Sequence, residues 1–73
     1  MKHCPLKIWR AQNNISQMKL SEMLDIHVDT IRLWEKAKFF PRAKQMIEIQ
    51  RITQEPLLYA IWFLWWCKEK EHN

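Results

Sequence analysis

One stretch of the chain concentrates side chains that can bind phosphate. Residues 32–44 contain one acidic residue, Glu35, and five basic residues, which are Arg32, Lys36, Lys38, Arg42 and Lys44. Guanidinium and ammonium groups hold phosphate oxygens through charge-assisted hydrogen bonds. Such contacts position a nucleic acid without reading its sequence. The alternative is an ordinary basic surface that contacts only water.

The charge of the chain is unevenly distributed. The net charge is +4 over 73 residues, with a net charge of +5 in residues 1–53 and −1 in residues 54–73. A basic body with a nearly neutral tail is typical of a protein whose body binds a polyanion and whose tail has a separate role. Seventy-three residues allow one domain, so we interpret 1–53 as the body and 54–73 as an apolar part of the same domain. A domain this small is marginally stable alone and gains from a partner.

Catalytic chemistry has little support in this sequence. It contains no Ser/His/Asp set, no glycine-rich phosphate loop and no paired carboxylates, so it predicts a protein that is not an enzyme and needs no cofactor. The two cysteines, Cys4 and Cys67, predict no disulfide framework and an intracellular setting. A metal site that combines them with His3 and His72 is the weaker interpretation, because zinc ligands normally occur in tighter pairs. The N-terminus lacks the apolar segment of a signal peptide.

The basic stretch overlaps a segment with the apolar spacing of two short helices. The residues on one helical face are Leu20, Met23 and Leu24 before a break at 25–27, then Ile31 and Trp34 after it. A single straight helix would scatter these side chains around its surface. A bend near Asp25 instead directs both apolar faces toward one core. The pattern therefore predicts two helices and a sharp turn.

This ordered set of residues resembles the helix-turn-helix of the Cro and phage-repressor class of DNA-binding proteins. The matching residues are Gln17, Leu20-Ser21, Leu24-Asp25-Ile26, Ile31 and Trp34-Glu35. The flanking Leu6-Lys7, Arg10 and Pro41 also agree with that class. The resemblance covers residues 5 to about 53. It implies an all-α fold, a compact five-helix bundle with the helix-turn-helix at about 17–36.

Local signals set the expected helix ends. Pro5 suits a first helical position and Ser16 suits an N-cap. The predicted helices run over 5–13, from 17 to the bend, over 28–36, from 41 or 42 to 52, and from 56 to about 70.

The sequence contains no glycine. Asn14, Asp25 and Ala37 occupy positions where the resembled class often has it. Asn and Asp tolerate left-handed backbone, whereas alanine resists it. We therefore expect the loop after Glu35 to depart from the shape of that class.

The resemblance implies base-reading roles for one helix face. In this class the second helix of the motif lies in the DNA major groove. The residues that face the bases, carried over by position, are His27, Val28, Asp29, Arg32 and Leu33. Arg32 can bind guanine through two hydrogen bonds, Asp29 can accept one from cytosine, and Val28 or Leu33 can cover a thymine methyl. The alternative is a solvated face with an Asp29–Arg32 ion pair.

Phosphate contacts and one ion pair complete the implied interface. The phosphate-contacting residues are Gln17, Lys36, Lys38, Arg42 and Lys44, aided by the N-terminus of the fourth helix. Glu35 is expected to pair with Arg10 and so hold the third helix to the first. Both groups being solvated and unpaired is the alternative.

Residues 57–67 form a run of eleven apolar residues. The run is too short to span a bilayer, which needs about 20 residues. On a helix it would cover every face, and an apolar surface that stays exposed marks an interaction site. We place Trp62, Phe63 and Trp66 at a homodimer interface, and Leu57, Leu58, Ile61 and Trp65 toward the core. An interfacial membrane anchor is the weaker alternative, because the acidic residues after the run oppose it.

Together with the resemblance, these features predict a transcriptional repressor that binds a near-palindromic operator in double-stranded DNA as a homodimer. Two other interpretations stay open. One is the DNA-binding antitoxin of a toxin–antitoxin pair, whose tail would grip the toxin. The other is a protein-interaction module that kept the fold and lost DNA binding. The expected location is the cytoplasm of a bacterium, on the nucleoid.

Overall fold

Five α-helices make up the regular structure of residues 3–71, which are the residues that the computed structural model describes. They are α1 (Pro5–Gln12), α2 (Gln17–Leu24), α3 (Val28–Glu35), α4 (Ala43–Thr53) and α5 (Leu58–Glu71). Within this part of the chain there is no β-strand. The predicted all-α class is confirmed. Each predicted helix overlaps an observed one, and their ends differ by one or two residues, as is usual for helix termini.

The turn between α2 and α3 forms where the sequence predicts it. The Oγ of Ser16 accepts a hydrogen bond of 3.0 Å from the backbone N–H of Lys19, which caps the start of α2. Asp25 then takes a left-handed conformation, with φ 55° and ψ 48°, and ends the helix. The N–H of Ile26 donates to the carbonyl of Ser21 at 3.0 Å and closes the turn. Three residues therefore suffice to redirect the chain into α3.

Four residues adopt the left-handed backbone that glycine usually occupies. They are Asn14, Asp25, Ala37 and Gln54, with φ between 55° and 59°. We expected alanine to resist this conformation, but Ala37 adopts it and buries its methyl group in the core. The next residue, Lys38, donates its N–H to the carbonyl of Leu33 at 2.9 Å, a bond that typically closes a helix C-terminus. The role of Gln54, at the end of α4, was not predicted.

The core collects apolar side chains from all five helices and from the segments next to them. Its buried members are Cys4, Leu6, Leu20, Ile31, Trp34, Ala37, Met46, Ile49, Leu58, Trp62 and Trp65. The α2 and α3 residues of this set, Leu20, Ile31 and Trp34, meet as the predicted bend requires. The rings of Trp34 and Trp62 pack edge to face with centroids 5.9 Å apart and join α3 to α5.

α5 buries a different face from the one predicted. Leu58 and Trp65 are buried as expected, but Leu57 and Ile61 are exposed. Trp62, which we assigned to the dimer interface, is 0% exposed. The correction has a physical reason: nearly every position of α5 is apolar, so the sequence pattern does not indicate which side faces inward. Contacts with Trp34 and with the loop before α4 decide that orientation.

Phe40 from this loop lies at the centre of an aromatic cluster. Its ring centroid is 5.6–5.8 Å from those of Tyr59, Trp62, Phe63 and Trp66. Phe63 remains exposed and Trp66 is half-buried. The side of α5 that carries these two predicted interface residues is therefore partly covered by the domain's own loop.

Gln54→Gly should raise the free energy of unfolding by up to about 1 kcal/mol, because glycine takes left-handed torsions without a clash of Cβ. Ala11→Gly, at an exposed position within α1, should lower it by about 1 kcal/mol. Urea denaturation followed by circular dichroism measures both changes. A loss of stability in both variants would contradict the left-handed conformation of Gln54.

Candidate nucleic-acid interface

α3 has one buried face and one face open to solvent. Ile31 and Trp34 lie in the core, whereas four of the five predicted base-facing residues are exposed; these are His27, Asp29, Arg32 and Leu33. Val28, the fifth, is half-buried. The apolar face fixes the helix to the domain and leaves a mixed polar and apolar surface for a ligand.

His27 caps the N-terminus of α3 with its ring. The Nδ1 atom accepts a hydrogen bond of 3.1 Å from the backbone N–H of Asp29. This bond requires an unprotonated Nδ1, so the neutral ring carries its proton on Nε2. His27 is exposed. It therefore provides a hydrogen-bond donor at the start of the helix.

Asp29 and Arg32 form an ion pair along the same face. The Nη1 atom of Arg32 donates to Oδ1 of Asp29, three residues earlier. This is the ion pair of the alternative sequence interpretation, and it engages the carboxylate that we expected to contact cytosine. The pair leaves Nε and Nη2 of Arg32, which together form a planar two-donor fork. Arg32 can therefore make a two-pronged contact while Asp29 holds it.

Four of the predicted phosphate-binding residues are exposed cations that follow α3 in the chain. Lys36, Lys38, Arg42 and Lys44 are all exposed, and Arg42 is the N-cap residue of α4. Its backbone N–H donates to Oε1 of Gln45 at 3.0 Å. A guanidinium has no acceptor atom, so Arg42 cannot cap the first-turn N–H groups of α4 as serine or aspartate would. Those groups and the positive end of the helix dipole favour an anion here.

The predicted ion pair between Arg10 and Glu35 is present. Nε and Nη2 of Arg10 each donate to a different oxygen of Glu35, both at 2.7 Å. The side chains are 12% and 5% exposed, respectively. Nη1 of Arg10 donates to the carbonyl of Ile15 at 3.1 Å, so the guanidinium also holds the loop between α1 and α2. The pair ties the C-terminal end of α3 to the body of the domain.

Gln17, one of the predicted phosphate contacts, also takes part in this network. Its Nε2 donates to Oε1 of Glu35 at 3.0 Å. One of its two amide hydrogens is therefore used inside the domain, and the side chain is half-buried. Gln17 therefore supports Glu35, and its second amide hydrogen is left for the predicted phosphate contact.

Sequence reasoning missed Phe39, which is 60% exposed beside the basic side chains. It borders a groove between α3 and α4 whose lining includes Thr30, Leu33, Phe40 and Arg42. The available signal was the Phe39-Phe40 pair itself, because two adjacent aromatic residues in a short loop seldom both enter the core. Phe40 enters the aromatic cluster and Phe39 faces solvent.

Other chemistry finds little support in the described residues. Burial raises the pKa of the Cys4 thiol to about 12, so this thiol stays protonated and unreactive at neutral pH. Within residues 3–71, no three or more His, Cys, Asp or Glu side chains group together as metal ligands. His72, from the metal interpretation, lies outside that range. None of the helices in this range is long and apolar enough to cross a membrane.

Comparisons of the chain with protein-family models, with characterised proteins and with solved structures found no match. The case for a function therefore depends on the chain's own geometry: the exposed face of α3, the basic side chains that follow it and the apolar surface of α5.

Glu35→Gln should lower the free energy of unfolding by roughly 3–5 kcal/mol, because it leaves the Arg10 guanidinium nearly buried without a counter-charge. The matched control is Glu48→Gln, which removes the carboxylate of an exposed pair with Arg51. Exposed pairs contribute little, so the control should denature close to the parent protein. Equal urea midpoints for the two variants would contradict a stabilising role of the Arg10–Glu35 pair.

Proposed function

We propose that this protein is a sequence-specific DNA-binding repressor of the Cro and phage-repressor type, acting as a homodimer. The observation that carries the proposal is the exposed face of α3 together with the exposed basic side chains that follow it in the chain. In this proposal α2 and α3 are the helix-turn-helix, and α3 enters the major groove. An α-helix with its side chains is about 10–12 Å across, and the major groove, about 12 Å wide, admits one such helix.

The readout would be made from the exposed face of α3. The free fork of Arg32 suits the two acceptors of guanine, and the Asp29 carboxylate limits the positions that the fork can take. The Nε2–H of His27 suits a base or phosphate oxygen near the start of the helix. Leu33 adds an apolar contact for a thymine methyl. Asp29 is retained as an orienting residue for Arg32 rather than as a direct contact to cytosine.

The cations after α3 would bind the DNA backbone. Lys36 and Lys38 follow the end of α3, and Arg42 and Lys44 flank the start of α4. Phosphates placed across this group would meet both the side chains and the first-turn N–H groups of α4. Neutralising these phosphates releases counterions, so binding should weaken steeply with salt. The carboxylate of Glu35 does not oppose them, because Arg10 already neutralises it.

A second copy of the chain would pair through the outer side of α5. Leu57, Ile61 and Leu64 recur at helical spacing and form an apolar stripe, in which Leu57 is 67% and Leu64 66% exposed. Exposed Glu55 and Lys68 lie beyond its two ends. A two-fold axis through the middle of the stripe would bring these opposite charges together. We propose this stripe in place of the predicted interface of Trp62, Phe63 and Trp66, because Trp62 is buried in the core.

Repression would follow from occupancy of the operator. A two-fold homodimer presents two α3 helices to successive major grooves, which explains a near-palindromic site. A protein seated there excludes RNA polymerase from an overlapping promoter. The proposed setting is the bacterial cytoplasm, on the nucleoid.

The two other interpretations make different use of the same surfaces. A DNA-binding antitoxin would keep the α3 interface and offer the α5 stripe to a toxin, so the isolated chain would bind DNA as a monomer. A protein-interaction module would not bind DNA at all. Measuring DNA binding and oligomeric state on one purified sample separates these three possibilities.

Arg32→Ala should weaken binding to a duplex selected from random DNA by about 1–3 kcal/mol and relax the preference at one base pair per half-site. Arg42→Ala should instead weaken binding to all duplexes and reduce the salt slope by about one unit per contact. Fluorescence anisotropy at several salt concentrations measures both effects.

The control for both variants is Arg51→Ala, because Arg51 is exposed near the other end of α4 and paired with Glu48. This variant should leave affinity and salt slope close to the parent values. Failure of the parent protein to bind duplex DNA at low salt would refute the proposal.

The parent chain should sediment as a dimer at micromolar concentration, and its melting temperature should rise with concentration. Leu64→Glu should give a folded monomer with weaker operator binding, because a charge in the apolar stripe opposes pairing. Ile47→Glu is the matched control, since Ile47 is equally exposed on α4. A parent protein that is monomeric at all concentrations would refute the homodimer.

A further inference from the structure

We propose that the groove between α3 and α4 receives the 5-methyl group of a thymine, and that Phe39 is a specificity-determining residue which forms the outer wall of this site. The inference rests on the proposed DNA-binding function and deepens it. In the proposed function Leu33 alone contacts the thymine methyl group. The inference adds Phe39 as a second apolar side chain in contact with that methyl group.

The groove is lined by both apolar and polar side chains. Its lining includes Thr30 and Leu33 of α3, Phe39 and Phe40 of the loop, and Arg42 and Gln45 at the start of α4. Leu33 and Phe39 are both exposed. Phe40 is held from behind by its ring contacts with α5. The lining therefore combines Phe40, which is packed against α5, with two exposed apolar side chains, Leu33 and Phe39.

Phe39 differs from the other exposed apolar residues by its position, because it lines the groove together with Leu33 and Arg42. Phe39 is 60% exposed, so a partner that covers its ring would gain from removing this apolar surface from water. The surrounding surface is also unsuited to a purely apolar partner, because exposed Lys36, Lys38 and Arg42 lie near it in the chain. An occupant with an apolar group next to negative charges complements both features.

A DNA strand presents that combination. The thymine methyl is the apolar group among the base edges of the major groove, and phosphates lie along both edges of that groove. Leu33 is one helical turn from Asp29 and next to Arg32, so it lies in the row proposed to face the bases. A methyl group that contacts Leu33 would lie in the groove and also contact Phe39. Arg42, in the same lining, could then bind a neighbouring phosphate.

The test compares a selected duplex with the same duplex in which deoxyuridine replaces thymidine. Deoxyuridine removes only the methyl groups. The parent protein should bind the uracil duplex about fourfold more weakly for each methyl held in a groove of this kind, from the transfer free energy of one carbon. Phe39→Ala should weaken binding to the thymine duplex and lose most of this preference. Ile47→Ala, which shortens an equally exposed apolar residue outside the groove, should keep it.

Using both duplexes with each variant cancels any effect of uracil on the shape of DNA. Melting curves check that Phe39→Ala stays folded, as expected for an exposed loop residue. Two results would overturn the inference while leaving the proposed function intact: equal binding of both duplexes by the parent protein, or an unchanged thymine preference in Phe39→Ala. If the parent protein binds no duplex DNA, the proposed function fails and the inference fails with it.

Discussion

The guanidinium of Arg10 holds both oxygens of Glu35 at 2.7 Å where α1, α2 and α3 meet, and the placement of α3 depends on this contact. α3 is only eight residues long, and an isolated helix of that length is unstable in water. Its apolar face anchors it through Ile31 and Trp34, which are buried in the core. Two parallel hydrogen bonds to the last residue of the helix add to this anchoring.

The same contact explains the electrostatics of the interface. A carboxylate at position 35, within a group of cations, would repel phosphate if it faced solvent. It is instead almost buried and accepts from Arg10 and Gln17, so its charge is neutralised inside the domain. The carboxylate of Glu35 therefore does not offset the positive charge of the basic side chains beyond α3. The Arg10–Glu35 ion pair therefore has two effects: it holds α3 in place, and it neutralises the carboxylate beside the basic surface.

Residues with local causes were predictable from the sequence. Pro5 and Ser16 mark helix starts because of their own torsions and hydrogen bonds, and the break at Asp25 follows from a short polar residue that tolerates left-handed backbone. The Arg10–Glu35 pair came from the resemblance, since residues 25 positions apart give no local signal of contact. Ala37 shows the limit of local reasoning: the intrinsic preference of alanine opposes its conformation, but burial of its methyl group and closure of the end of α3 override it.

The sequence of α5 does not indicate which face of the helix enters the core, because its positions from Leu58 to Cys67 are all apolar. Its inward row, Leu58, Trp62 and Trp65, is fixed by the shapes of the rings it meets. The indole nitrogens of Trp62 and Trp65 have no hydrogen-bond acceptor among the described residues, so hydrogen bonds do not set the orientation. The opposite side is almost equally apolar, and it stays exposed in one chain. One helix thus completes the core with one face and leaves an apolar surface exposed on the other. In the proposed homodimer, a second copy that covers the outer face would also hold the inner face in place, and this would link association to folding stability.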